Sequence, residues 1–134
     1  MDATVRHFVR QRAEDCCEYC RLPQGAVDAR FHIEHIIALQ HNGTDDSSNL
    51  ALACDRCNLY KGTNLASIDT ETGALVPLFH PRQDVWHEHF AFRGPRIIGL
   101  SPKGRATVQL LKMNATRRVQ LRAELQATGG LVNS

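Results

Sequence analysis

HIEHIIALQHNGTDDSSNLALACDRCNLYKG, residues 32–62, packs two apolar runs, a polar break and a Cys-x-x-Cys turn into one short stretch. With the flanking Arg30 and Phe31, residues 30–39 are rich in β-branched and aromatic side chains and read as a strand. Residues 40–48, QHNGTDDSS, form a polar loop punctuated by Asn-Gly. Residues 49–53, NLALA, read as a short returning strand. Residues 55–65 read as a helix after the Cys turn, with Gly62 interrupting it near its end. The order is strand, strand, helix, which points to an α+β fold built on a ββα unit.

Working outward, the Cys54/Cys57 pair has a partner upstream in Cys17/Cys20. Each Cys-x-x-Cys bends the chain so that two thiolates converge, and two pairs complete the tetrahedron that Zn²⁺ accepts. Thirty-three residues lie between Cys20 and Cys54, so the insert must fold as its own unit and return to the metal. Four thiolates leave no open position, which makes the site structural. Redox-active pairs or disulfides are the competing account, and no thioredoxin-like βαβ pattern surrounds either pair. Cys16, the odd fifth cysteine, reads as a half-buried thiol.

The 134 residues suit one domain, with a zinc-stapled core over about 16–65 and an extension over about 75–128. Residues 2–15 fit an opening helix capped by Asp2, with Val5, Phe8, Val9 and Ala13 on one stripe. Residues 69–73 read as a turn. HEHFAF and RIIGL, separated by Arg93-Gly94-Pro95, read as a hairpin, with Trp86, His87 and His89 alternating along its first strand. Ser101-Pro102 starts a helix to about Met113; Asn114 caps another that ends at Gly129-Gly130, before a loose tail. No apolar run approaches the ~20 residues of a membrane helix, and the start lacks a signal-peptide pattern, so a cytoplasmic protein without membrane contact is expected.

The net charge of +2 hides a segregation. Residues 89–123 hold eight Lys/Arg and no Asp/Glu, whereas residues 1–67 hold seven Lys/Arg against nine Asp/Glu. Such a basic stretch suits a polyanionic partner.

Glu34-His35-Ile36, Asn49-Leu50, Cys54-x-x-Cys57-Asn58 and Lys61 fall in order, and together they resemble the motif of HNH endonucleases, the ββα-metal or His-Me finger superfamily. The resemblance spans residues 17–62. The stretch 75–122 is similar to the extension of small bacterial stand-alone HNH proteins. The resemblance implies a zinc-stapled ββα core preceded by a helix and followed by a hairpin and two helices. It also implies metal-dependent hydrolysis of DNA. His35 would then be the general base, suited by a neutral imidazole at cellular pH. Glu34 and the Asn58 amide would offer hard oxygens to one catalytic divalent ion, Mg²⁺ or Mn²⁺. Asn49 would hold the loop and the His35 backbone. Lys61, Arg93, Arg96, Lys103 and Arg105 would contact the DNA backbone.

Two departures stand out. Asp is common in the family where this chain has Glu34. Residues 34 and 35 also point to opposite faces of a regular strand, so the chain must leave the pleat for both to serve one site. His32 and His80 are possible additions to the site, whereas His41, Asp45 and Asp46 read as solvated loop residues. Two alternatives remain: a non-catalytic zinc module that binds nucleic acid, and an HNH nuclease acting on RNA.

Overall fold

The computed structural model describes residues 1–131, and these group into two compact units. The first comprises Met1–Asn64 with His80–Gln83; the second comprises Leu65–Phe79 with the chain from Asp84 onward. Helices and small antiparallel strand pairs mix in an α+β arrangement.

The first unit opens with α1 (Ala3–Arg12), whose Val5 amide donates to the Asp2 carboxylate. Such a cap contributes about 1 kcal/mol. Val9 is its buried residue, whereas Phe8 faces outward under the Arg12 guanidinium, 5.1 Å from the ring centre. Strands β1 (His32–His35) and β2 (Leu50–Ala53) pair antiparallel with Glu34 opposite Ala51 and His35 opposite Leu50, and α2 (Asp55–Lys61) follows directly. Every residue of β2 is buried, so its outer edge needs partners. Glu18 supplies them: its amide donates to the Leu52 carbonyl (2.9 Å) and its carboxylate accepts from the Leu52 amide (2.8 Å). Arg12 reaches the Leu50 carbonyl at 2.8 Å.

β1 is shorter than the apolar run 30–39 suggested, and the reason is Asn49. The Ile36 amide donates to the Asn49 carbonyl at 2.8 Å, ending the ladder. The Asn49 side chain then brackets Ile37, accepting from its amide (2.9 Å) and donating to its carbonyl (3.0 Å). A 3₁₀ turn at Leu39–His41 follows, and the chain returns so closely that a Cβ on Gly43 would lie 1.7 Å from the Ile37 carbonyl oxygen. Only glycine fits there. α2 stops at Lys61 rather than Leu65, because Gly62 turns out of the helix with φ +52°.

The second unit holds two hairpins, β3 (Ala66–Ile68) with β4 (Leu75–Pro77) and β5 (Phe90–Arg93) with β6 (Arg96–Gly99). It also holds α3 (Trp86–His89), α4 (Pro102–Leu110) and α5 (Thr116–Ala127). Trp86–His89 is a helical turn rather than strand. It swings the Trp86 ring onto Phe90 and Phe92, with ring centres 5.1 and 5.4 Å away. His87 and His89 therefore share no strand face. Ser101 caps α4 as expected, accepting from the Gly104 amide. Asn114 does not cap α5; its amide group accepts from the Ile97 amide (2.9 Å) and donates to the Ile97 carbonyl (2.7 Å). α5 ends at Ala127, with Gly129 at φ +77° just beyond; the last three residues of the expected loose tail lie outside the described residues. No described helix is long and apolar enough to cross a membrane.

Candidate metal centre and active site

The sulfurs of Cys17, Cys20, Cys54 and Cys57 lie within 4.8 Å of one another, and all four residues are buried. The first pair sits on a tight turn in which Arg21 adopts φ +68° and the Cys17 amide donates to the Leu22 carbonyl. The second pair begins α2, where Cys54 accepts from the Cys57 amide. A tetrahedron with Zn–S bonds of 2.3 Å puts sulfurs about 3.8 Å apart, and Cys20 and Cys54 are separated by 3.8 Å. Burial pushes the Cys17 thiol up, and neighbouring sulfurs push Cys57 up, while the hydrogen bonds it receives hold Cys54 far down. Four buried sulfurs this close can all ionise only beside a cation, and the donor set fits zinc. Cys16, the odd cysteine, is half-buried outside the cage, as expected.

Glu34, His35 and Asn58 line one open cavity of about 360 Å³, together with Ile33, Ala38 and Leu39. His35 is the last residue of β1, opposite Leu50, and it lines the same cavity as its strand neighbour Glu34. Its Nε2 lies 2.7 Å from Asp45 Oδ1. That hydrogen bond holds the Asp45 carboxyl below its ordinary range. An ionised carboxylate only accepts, so Nε2 carries the hydrogen, and in the neutral ring Nδ1 keeps a lone pair. Asp45 is exposed, as its loop suggested, but it is tied to the imidazole rather than merely solvated. Sequence reasoning missed it because nothing in an Asn-Gly-Thr-Asp-Asp loop says which carboxylate turns inward.

Glu34 is 5% exposed. One carboxylate oxygen accepts from the Tyr19 hydroxyl, and the other pairs with Lys61 Nζ at 3.3 Å. Burial raises the Glu34 carboxyl despite Lys61, and burial followed by the Glu34 charge raises the Tyr19 phenol. Each oxygen still has a second lone pair, so the carboxylate can serve a divalent ion alongside the half-exposed Asn58 amide. The hard-oxygen donor set fits such an ion.

Lys61, expected to reach phosphate, is turned inward at 2% exposure. Its ammonium donates to the Ile36 carbonyl (2.8 Å) and lies 3.5 Å from the His35 carbonyl. The reason is charge: Glu34 is buried and needs a counter-ion. In the second unit Lys103 grips both oxygens of Asp84 (3.0 and 2.9 Å), and Arg105 forks onto buried Asp69 (2.8 and 3.0 Å). Arg118 and Arg122 are buried, the latter donating to the Pro95 and Met113 carbonyls. Arg93 and Arg96, opposite each other at a hairpin end, are exposed.

His32 is exposed and outside the cavity lining. His80 lines a different cavity, of about 440 Å³, with Thr44, Asn49 and Arg82, and its Nδ1 accepts from the amides of Arg82 and Gln83. Glu18, paired with Arg82, is a further structural carboxylate that its position inside Cys-x-x-Cys does not advertise.

Residues 17–64 match the family model described as HNH endonuclease. No curated protein and no solved structure matches the chain. The matched stretch begins at the first zinc-cage cysteine and contains both pairs, β1, β2, α2 and the cavity with His35. Residues 17–64 therefore carry the pattern of an HNH endonuclease domain.

Proposed function

We propose that the chain is a metal-dependent endonuclease that hydrolyses DNA phosphodiester bonds, with both compact units working as one nuclease domain. The observation that carries this reading is the shared cavity: His35, Glu34 and Asn58 line one opening inside the HNH domain. His35 takes a proton from water at Nδ1 while the water oxygen attacks phosphorus. The P–O bond to the 3′ oxygen breaks, leaving 5′-phosphate and 3′-hydroxyl ends. Glu34 and Asn58 would hold the divalent ion, Mg²⁺ or Mn²⁺, which when bound neutralises charge on the phosphate and on the leaving oxygen. Asn49 fixes the turn after β1 through its bonds to Ile37. Arg93 and Arg96 are the best placed of the basic candidates to meet a DNA backbone, because their side chains are exposed.

One observation favours the non-catalytic alternative. Glu34 is almost wholly enclosed and already engages Tyr19 and Lys61, as a structural carboxylate would. Incubating the zinc-loaded protein with supercoiled plasmid, single-stranded DNA and single-stranded RNA across a series of divalent metals decides between the readings. Metal-dependent nicking of plasmid supports the proposal. Cleavage of RNA alone transfers the chemistry to RNA, and no cleavage under any metal leaves the zinc module.

A further inference from the structure

We infer that Asp45 is a positioning residue for His35, holding the imidazole in the tautomer and orientation that lets Nδ1 accept the proton of the attacking water. The inference rests on the reading of His35 as general base. Its geometric ground is the 2.7 Å contact between Asp45 Oδ1 and His35 Nε2. His35 is half-buried, and its ring would otherwise be free to turn about its side-chain bonds.

The loop that carries Asp45 is fixed on both sides of it. Asn49 Nδ2 donates to the Thr44 carbonyl at 2.8 Å, and the same amide group brackets Ile37, two residues beyond His35. On the other side of Asp45, the Thr44 hydroxyl donates to the Asp46 carboxylate at 3.2 Å. Gly43 permits the close return of the loop onto Ile37. One side chain, Asn49, thus ties the residues after His35 to the residue before Asp45, which fixes the distance between imidazole and carboxylate. A loop held only for its own stability would not need its exposed carboxylate aimed at a ring nitrogen.

The proton balance is simple. A water proton passes to Nδ1, the oxygen–phosphorus bond forms, and the bond to the 3′ oxygen breaks. The resulting imidazolium, protonated at both nitrogens, faces the Asp45 carboxylate, which stays ionised and stabilises it by charge. Glu34, the strand neighbour of His35, is already paired with Lys61 at 3.3 Å. Asp45 is therefore the carboxylate that supports positive charge on His35.

The test compares Asp45→Asn, Asp45→Ala and His35→Ala with the wild type, all zinc-loaded, in plasmid nicking from pH 5 to 9. Asp45→Asn can still accept from Nε2 but loses the charge; Asp45→Ala loses both. The expected order of kcat is wild type, then Asn, then Ala, with a loss on the order of 10- to 100-fold for Ala, because an exposed carboxylate acts less strongly than a buried one. KM and zinc content stay unchanged. Nitrogen NMR of the imidazole gives a readout apart from activity: Nε2 protonated in the wild type, and a mixture of tautomers in Asp45→Ala. Inactive His35→Ala beside Asp45 variants with wild-type rate and tautomer would overturn the inference and leave the general base in place. Full activity in His35→Ala would remove the reading on which it rests.

Discussion

Replacing Lys61 by methionine keeps most of its aliphatic stem and removes only the ammonium, which separates the two roles that its position allows. That ammonium pairs with the buried Glu34 carboxylate and donates to the Ile36 carbonyl. Removing one member of a buried ion pair costs roughly 3–5 kcal/mol, and an unpaired buried carbonyl adds about 1–3 kcal/mol. Protonation of Glu34, whose carboxyl burial already raises, limits the total. A loss of about 3–5 kcal/mol is therefore expected, on the order of 10 °C or more in melting temperature. Chemical denaturation of the zinc-loaded protein measures it, and fluorescence anisotropy with labelled duplex DNA measures binding under folded conditions. The reasoning is refuted if Lys61→Met loses less than about 1 kcal/mol, as an exposed side chain would, while its affinity for DNA drops.

Two further outcomes follow from the cage and from the second unit. Chelation or Cys57→Ser should release one zinc per chain and unfold the first unit, since structural zinc supplies roughly 10 kcal/mol of folding free energy or more; a redox protein would instead hold no zinc, and thiol titration with metal analysis distinguishes them. Arg105 holds the Asp69 carboxyl well below the usual carboxylate range, by its forked hydrogen bonds first. The stability from this pair is present above the ordinary carboxylate range, about pH 4, and is lost as pH falls through the lower folded value. Arg105→Gln should therefore flatten the acid limb of the stability–pH curve and leave affinity for DNA nearly unchanged.

The zinc cage and the strand–strand–helix order were legible because residue spacing carries them. Two Cys-x-x-Cys pairs and an apolar–polar–apolar alternation survive without knowledge of the fold. What stayed hidden are choices among chemically equivalent side chains. Lys61, Lys103, Arg105 and Arg122 carry the same charge as Arg93 and Arg96, yet each of the four is bound to a carboxylate or carbonyl group of the fold. The basic stretch 89–123 is thus partly a set of internal counter-ions and donors. Element ends were also hidden, since β1 stops where the Asn49 side chain captures Ile37, a contact over twelve residues. The Asn114 side chain repeats that bracket on Ile97 in the second unit, and so an apparent helix cap is a loop clasp. Asp45 belongs to the same class, one of two adjacent aspartates separated only by which one the loop aims at His35.

The central claim is that this HNH domain cuts DNA through His35, and its most direct measurement is plasmid nicking by wild type and His35→Ala side by side, with Mg²⁺ or Mn²⁺ and equal zinc content. The account predicts metal-dependent nicking by the wild type and a loss of roughly 100-fold or more in the variant, with DNA binding and melting temperature preserved. Equal nicking by both proteins would contradict it.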